Sequence, residues 1–574
     1  MTHTKRDYSV DPRLLMMSAA AMFIGALSTL AAAALLALIH FFTNLFFYQR
    51  FSWADVTPAQ HALGPWVIGV PAIGGILIGL MARYGSEKIR GHGIPEAMEA
   101  ILFGKSRMSA RVAVLKPVSS GIVIGSGGPF GAEGPIIMTG GSLGSLFAQY
   151  LHLTAAERKT LLVAGACAGM TAIFSTPVAA LLLAVELLLF ELRPRSLLPV
   201  ALACATAGFL RDLAFAPGPM FPLSTEPVTT AALASCVIAG LLCGALAAAL
   251  TLALYRTEDF FHALRLHWMW WPALGGLVVG IGGYFEPRTL GVGYDVIGDL
   301  LNGRFLLTAA VALLAVKAVI WVVALGSGTS GGVLAPLLML GAGLGVLLAP
   351  HLPGGTPSLW ALVCMAGVLG STLGAPLTAI VFAFGLTHDS NALLPLLLTT
   401  AVAYGLTALT MKRSIMTEKI ARRGLHIFRE YGVDPLERQH VGDLMSTDVA
   451  AIDADTPIAD ALARCRAERD PHRLYPVTRD GRVIGTIDCQ TLAAHAHAAG
   501  RCGDHLRPLQ PHHLLLPGAT ARLAAGRMAQ LETAGLPVVR DAASMDLVGM
   551  VSLRDLLKPS RGLLEEETFR ERLR

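Results

Sequence analysis

What most constrains the fold of this chain is a succession of apolar segments that glycine and proline keep interrupting. After a polar start, MTHTKRDYSVDPR, these segments run at 14–47, 64–82, 112–150, 161–190, 197–215, 229–255, 270–284, 306–325, 331–350, 358–386 and 391–411. The first far exceeds the ~7–15-residue core of a signal peptide, so it is expected to span a membrane. A helix needs ~20 apolar residues to cross a bilayer, and several of the other segments are shorter or split. Irregular backbone survives at membrane depth only where protein buries it or a watery cavity meets it. The pattern therefore predicts broken or re-entrant helices, as in a transporter or channel. Composition agrees: 574 residues with a mean hydropathy of +0.58 and 15% charged residues are too apolar for a soluble chain. The formal net charge of +5 is small for this length, and the basic residues gather at segment ends, which gives nucleic-acid binding no support.

Within this apolar background, GSGGPFGAEGPIIMTGGSLG (Gly125–Gly144) sets one carboxylate, Glu133, among glycines and a proline. A carboxylate at membrane depth is rare unless it faces a cavity, joins an ion or proton path, or meets dipoles arranged to receive it. Pro135 suits the first turn of a helix, whose free N–H groups make an anion site. Glu133 is therefore expected to stand in for an anion at a helix N-terminus.

The same run occurs twice. GSGGPFGAEGPIIM (Gly125–Met138) aligns without gaps to GSGTSGGVLAPLLM (Gly326–Met339), and FSTPVAALLLAVEL (Phe174–Leu187) resembles LGAPLTAIVFAFGL (Leu373–Leu386). Two copies in one order imply two related halves. Transporters so built bind their ion near the midplane, at the N-termini of discontinuous helices.

Past Met411 the character changes. Lys412, Arg413, Lys419, Arg422 and Arg423 crowd the end of the last apolar segment, which by the positive-inside rule lies in the cytoplasm. From about Val441 to Asp555 the chain reads as a soluble α/β region, itself repeated: YPVTRDGRVIGTI (Tyr475–Ile487) resembles LPVVRDAASMDLVGMV (Leu536–Val551). Thr456–Pro457 suits a helix start and Asp480–Gly481 a hairpin. The eight cysteines show neither a CxxC pair nor metal-ligand spacing and are read as small core residues.

Three ordered motifs give the membrane half a specific resemblance. GHGIPE (Gly91–Glu96), GAEGP (Gly131–Pro135) and GGVLAP (Gly331–Pro336), with the AxFxxP element at Ala172–Pro177, resemble the signatures of the CLC family of chloride channels and chloride/proton exchangers over residues 15–425. The tail resembles a tandem CBS pair. The resemblance implies an all-α polytopic membrane protein of two antiparallel, inverted-repeat halves with broken helices (1–430), followed by a cytosolic α/β CBS pair (431–574; repeats at about 438–497 and 502–560). It implies a homodimer in the cell (inner) membrane, both termini cytoplasmic, with chloride or another small anion as substrate and one anion pathway per subunit. The anion would be held by helix N-termini rather than by a fixed cation. Carried over by motif, the anion-binding positions are His92, Gly93, Ile94, Pro95, Gly131, Ala132, Gly134, Val333, Leu334 and Met416, and Glu133 is the gating glutamate.

The departures bear on mechanism. His92 stands where well-known members carry a pore serine; it either donates an N–H to the ion or satisfies a local carbonyl. Met416 replaces the pore tyrosine, and Leu334 a phenylalanine. Leu187 occupies the place of the exchangers' internal proton-transfer glutamate, next to Glu186. Leucine cannot relay a proton, so the resemblance favours passive conduction gated by Glu133. The alternatives are proton exchange by a non-standard path, through Glu186, Glu191 or water, and fluoride selectivity. Lys116 either raises the potential at the pore entrance or snorkels to the interface. In the CBS pair, GMVSLRD offers Ser552 and Asp555 to an adenine nucleotide's ribose, whereas GTIDCQT presents Asp488 and Thr491 instead; the alternative is a purely structural tail that stabilises the dimer.

An enzyme is disfavoured, since no Walker A run, HExxH or nucleophile elbow is present. Magnesium transporters also combine membrane helices with CBS domains, but magnesium wants octahedral oxygen ligands, and the apolar segments offer few carboxylates.

Overall fold

The computed structural model describes residues 12–215, 217–427, 436–437, 439–467, 474–496, 500–510, 514–558 and 568–571. The polar start as far as Asp11 lies outside the described residues, as do residues 559–560 at the expected end of the second CBS repeat. The chain forms two compact units that divide near residue 430.

The first unit is helical: α1 (Arg13–Tyr48), α2 (Gly69–Tyr84), α3 (Ile94–Leu102), α4 (Ala110–Gly125), α5 (Glu133–Gln149), α6 (Ala155–Phe174), α7 (Pro177–Leu183), α8 (Pro194–Ala214), α9 (Thr230–Ala263), α10 (Trp271–Phe285), α11 (Tyr294–Leu301), α12 (Leu307–Gly326), α13 (Leu334–Leu348), α14 (Pro357–Leu373), α15 (Pro376–Thr387), α16 (Leu393–Thr410) and α17 (Ile415–Arg422). Among the described residues, six candidate spans are long and apolar enough to cross a membrane. The split segments resolve into broken pairs. α6 ends on Ser175 at φ 58° and α7 restarts at Pro177, while α14 ends on Gly374 at φ 70° and α15 restarts at Pro376. A left-handed residue stops each helix, and proline's fixed φ begins the next.

The two halves are inverted about a local two-fold axis. Gly131 and Gly332 hold the same place in the two copies, and they pair with each other antiparallel: the Gly131 N–H donates to the Gly332 carbonyl at 3.2 Å and the reverse bond is 3.0 Å. Equivalent residues that exchange hydrogen bonds must be related by a two-fold rotation. The repeat also reaches further than the two motif pairs. PAIGGILIG (Pro71–Gly79) matches PALGGLVVG (Pro272–Gly280), and α2 crosses α10 there. A Cβ on Gly75 would fall 2.2 Å from the Pro272 carbonyl oxygen, and one on Gly276 2.3 Å from that of Pro71. Only glycine permits so close a crossing.

Lys116 does not snorkel. It is fully buried and donates to the carbonyls of Ile89 and Gly91, both at 2.8 Å, and to Ser330 Oγ at 3.0 Å. Lys317, its counterpart in the second half, is also fully buried and donates to Thr289 and Gly291 at 2.9 and 3.3 Å. Each lysine anchors the loop that launches a short helix, α3 or α11. The basic cluster after α16 is likewise more than a topology signal: Lys419 meets Glu96 at 2.6 Å, Arg423 pairs with Glu99, and Arg422 pairs with Asp259. These bonds fasten α17 to α3 and α9.

The second unit is a mixed α/β pair. Strands β1 (Ile452–Asp453), β2 (Tyr475–Arg479), β3 (Arg482–Ile487) and β4 (Arg507–Pro508) form one sheet, and β5 (Gly535–Val539) pairs antiparallel with β6 (Leu547–Ser552) in another. Asp480 and Gly481, at φ 52° and 78°, close the β2–β3 hairpin. The two sheets sit over separate apolar cores, one around Val477 and Ile487, the other around Leu536 and Val551. The reading of every cysteine as a free core residue is corrected here: Cys465 and Cys489 form a disulfide with Cα atoms 6.5 Å apart. A pair 24 residues apart in sequence leaves no spacing signature.

Candidate functional site

Three glycine-rich loops converge at the two-fold axis. The loop Gly91–Gly93 precedes α3, Gly127–Ala132 precedes α5, and Gly328–Val333 precedes α13. Gly93, at φ 93°, turns the chain tightly enough for α3 to begin at Ile94, and Pro95 fits its first turn. The approach between loops is very close: a Cβ on Gly134 would lie 1.9 Å from the His92 carbonyl oxygen, and one on Gly93 would lie 2.7 Å from that of Gly134.

Glu133 opens α5 and is fully buried. Its carboxylate sits at a helix N-terminus, but that of the opposite half: Oε1 accepts the N–H groups of Leu334, in a short bond, and of Ala335, at 3.2 Å. Those amides carry the positive end of the α13 dipole, so the carboxylate occupies an anion site made by the second repeat. The other oxygen, Oε2, is buried without a hydrogen-bond partner. The seat is closed tightly around it. A Cβ on Gly131 would fall 1.8 Å from Oε2, and one on Gly332 would fall 2.5 Å from Oε1.

The remaining expected residues divide by what their polar groups do. The Gly93 N–H donates to Glu96 Oε2 at 2.9 Å, and the Gly131 N–H is taken by Gly332. Pro95 has no N–H to offer. Ala132, Gly134, Val333 and Leu334 line the junction of α5 with α13, all buried. His92 is 3% exposed and its Nδ1 is buried without a partner, so the side chain does not satisfy a local carbonyl through that nitrogen. Met416 is fully buried at the start of α17, where the Tyr255 hydroxyl donates to the neighbouring Ile415 carbonyl at 2.5 Å.

Glu186 and Leu187 lie in a π turn, Ala184–Leu189, that continues α7. The Glu186 carboxylate accepts the N–H groups of Leu377 and Thr378 at 3.1 and 2.7 Å, which caps the N-terminus of α15. Leu187 is fully buried. A second carboxylate thus binds a helix N-terminus across the halves, with both oxygens engaged.

One measurement probes the seat directly. In Gly131→Ala the added methyl meets only the flexible Glu133 side chain among its nearest atoms, and Gly131 does not need positive φ. The substitution is expected to push the carboxylate off α13 and raise anion flux in reconstituted vesicles. Flux equal to the parent's would mean that the seat does not close the path.

In the second unit, a cleft of about 410 Å3 is lined by Ser446, Asp448, Pro476, Met550, Ser552 and Asp555. Ser552 Oγ donates to Asp555 Oδ2 at 2.7 Å, and Lys558 meets Asp555 at 2.7 Å. Burial pushes the Asp555 carboxyl up, but Lys558 and Ser552 outweigh it and hold the group below the usual carboxylate range. It is an ionised acceptor at neutral pH. A smaller cleft, about 320 Å3, is lined by Asp488, Thr491, His505 and Arg507, and there Asp488 caps its own helix through the Thr491 N–H at 2.6 Å.

Sequence profiles match two parts of the chain: one described as voltage gated chloride channel over residues 74–408, and the CBS domain over 441–496 and 511–561. A putative chloride channel protein, ClcB-like, of Ralstonia nicotianae is 31% identical over 364 residues, which are 62% of this chain and 85% of that relative. The H(+)/Cl(-) exchange transporter ClcA of Salmonella arizonae is 28% identical over 441 residues, 69% of this chain and 90% of the relative. Among solved structures, a slow cyanobacterial Cl-/H+ antiporter superposes with a TM-score of 0.63 at 23% identity, covering 72% of this chain and 99% of that one.

Proposed function

The chain belongs to the voltage-gated chloride channel (CLC) family, whose members transport anions, and from that premise we propose that it exchanges a small monovalent anion for protons across a membrane, with Glu133 as the group both ions share. The observation that carries this reading is the Glu133 carboxylate bound to the α13 amides. Ionised, it fills the place an anion would take and shuts the path. Protonated, it loses the charge that the helix dipole holds, leaves, and frees those amides for the anion. Anion entry and proton binding are then alternatives at one site, which is the minimum that exchange requires.

The comparisons support exchange better than the passive conduction expected from Leu187, because a relative matched over 69% of this chain is named an exchange transporter and a solved structure of the same fold is a Cl-/H+ antiporter. Passive conduction keeps one specific observation in its favour. Leu187 cannot carry a proton, and both oxygens of Glu186 are committed to α15. Under the exchange reading the inner leg of the proton route runs along water rather than through a carboxylate at position 187. The anion is chloride, with fluoride as the competing substrate.

Residues 1–430 carry the transport, as a homodimer in the inner membrane, and 431–574 form a cytoplasmic CBS pair that holds an adenine nucleotide at Ser552 and Asp555. The reading is tested in liposomes containing the pure protein. Valinomycin should trigger chloride efflux from potassium chloride-loaded vesicles; magnesium flux without chloride flux would overturn it.

A further inference from the structure

The loop that launches α3 is held at several points. Lys116 donates to the Gly91 carbonyl at 2.8 Å, the Gly91 N–H donates to the Thr329 carbonyl at 3.2 Å, and the Gly93 N–H donates to Glu96 Oε2 at 2.9 Å. A further contact comes from α17: Lys419 Nζ meets Glu96 Oε1 at 2.6 Å, and a Cβ on Gly91 would fall 2.1 Å from that ammonium. Arg423 approaches the same oxygen only to 3.7 Å and pairs with Glu99. The loop passes this restraint on. Its His92 carbonyl lies against Gly134, where a Cβ would fall 1.9 Å away, and Gly134 follows Glu133 in the first turn of α5. A continuous line of contacts therefore runs from Lys419 through Glu96 and the loop to the helix that carries the gate.

Launching a short helix does not require this ion pair. α11 starts in the same way, from Gly291 and Gly293 with Lys317 anchoring its loop, and its third residue is the buried Val296 where α3 has Glu96. Taking two charges out of water is costly, and apolar packing of similar volume is often at least as stabilising. What an ion pair adds is a discrete contact that is either made or broken. It joins Glu96, four residues after His92, to Lys419, three residues after Met416, and so ties together the two elements that carry those positions. We propose that Glu96 and Lys419 are positioning residues for transport: their ion pair holds the Gly91–Gly93 loop against the first turn of α5, steadies the Glu133 seat, and makes α17 a control on the gate.

This inference rests on the Glu133 gate, and its test separates the two. Chloride flux per folded transporter is measured in proteoliposomes for the parent chain, for Glu96→Gln, and for Glu133→Gln with and without Glu96→Gln. Glutamine can still accept the Gly93 N–H but trades a charge-assisted contact for a neutral one, so Glu96→Gln should raise flux by about fivefold. Lys419→Met should act in the same direction, and Lys419→Arg, which keeps the charge, should lie nearer the parent. With Glu133→Gln there is no carboxylate left to seat, so the factor produced by Glu96→Gln should collapse toward one. A merely structural pair would give the same factor in both backgrounds. Flux at or below the parent's in Glu96→Gln, or an equal factor in the two backgrounds, would overturn the role of the pair. A Glu133→Gln protein that conducts no faster than the parent would instead overturn the gate on which the inference stands.

Discussion

Glu133→Gln is expected to raise anion flux by about ten- to a hundredfold and to abolish proton movement, measured by paired chloride and pH recordings on the same proteoliposomes. The magnitude follows from the bonds lost. The carboxylate accepts two amide N–H groups at the start of α13; a bond to a charged acceptor is worth roughly 1.5–3 kcal/mol against roughly 0.5–1.5 for a neutral one, so neutralising the acceptor of both costs roughly 2–3 kcal/mol, or about one to two powers of ten in occupancy of the seat. Glutamine keeps the size of the side chain, so the loops around Gly131 and Gly332 need not rearrange. It carries no exchangeable charge, so each anion passes without a proton. Flux that stays at the parent level would remove Glu133 from the gate.

Glu186→Ala should have the opposite signature, a loss of stability without a loss of coupling. Its carboxylate, itself buried, satisfies the Leu377 and Thr378 N–H groups at the start of α15. Leaving both donors unpaired costs roughly 2–6 kcal/mol, at about 1–3 each. The thermal midpoint of the detergent-solubilised protein should therefore fall by several degrees, while the fraction that remains folded still exchanges anions for protons. Unchanged stability together with lost proton transport would make Glu186 the internal relay and overturn its assignment as a cap.

Much of this architecture was legible in the residues. Apolar length, glycine–proline interruptions and the duplicated run at Gly125 and Gly326 set the helices, their breaks and the two halves, because each is a local pattern. A single carboxylate in that run was enough to single out Glu133 as an anion surrogate. What could not be read was which helix end would receive it, since Leu334 lies in the other half and the contact exists only once the two-fold is formed. The short helices α3 and α11 escaped notice for a different reason. At nine and eight residues they leave no hydropathy window, and their signal is a pair of positive-φ glycines, Gly91 with Gly93 and Gly291 with Gly293.

Buried charge was the harder case. Lys116 looked interfacial because lysine in an apolar segment ordinarily reaches for water; here the carbonyls of Ile89 and Gly91 replace that water. The match of Lys116 with Lys317, and of Pro71–Gly79 with Pro272–Gly280, was present in the sequence and would have extended the repeat toward the N-terminus.

The central claim is that one buried carboxylate serves both ions, and chloride-driven proton movement tests it most directly. Proteoliposomes of the parent protein are loaded with high chloride, diluted into low chloride at equal pH, and external pH is followed. Exchange predicts that chloride leaving the vesicles draws protons inward, against the proton gradient that builds up, at a fixed ratio to the chloride released. Chloride release that runs to completion with no proton uptake would contradict it.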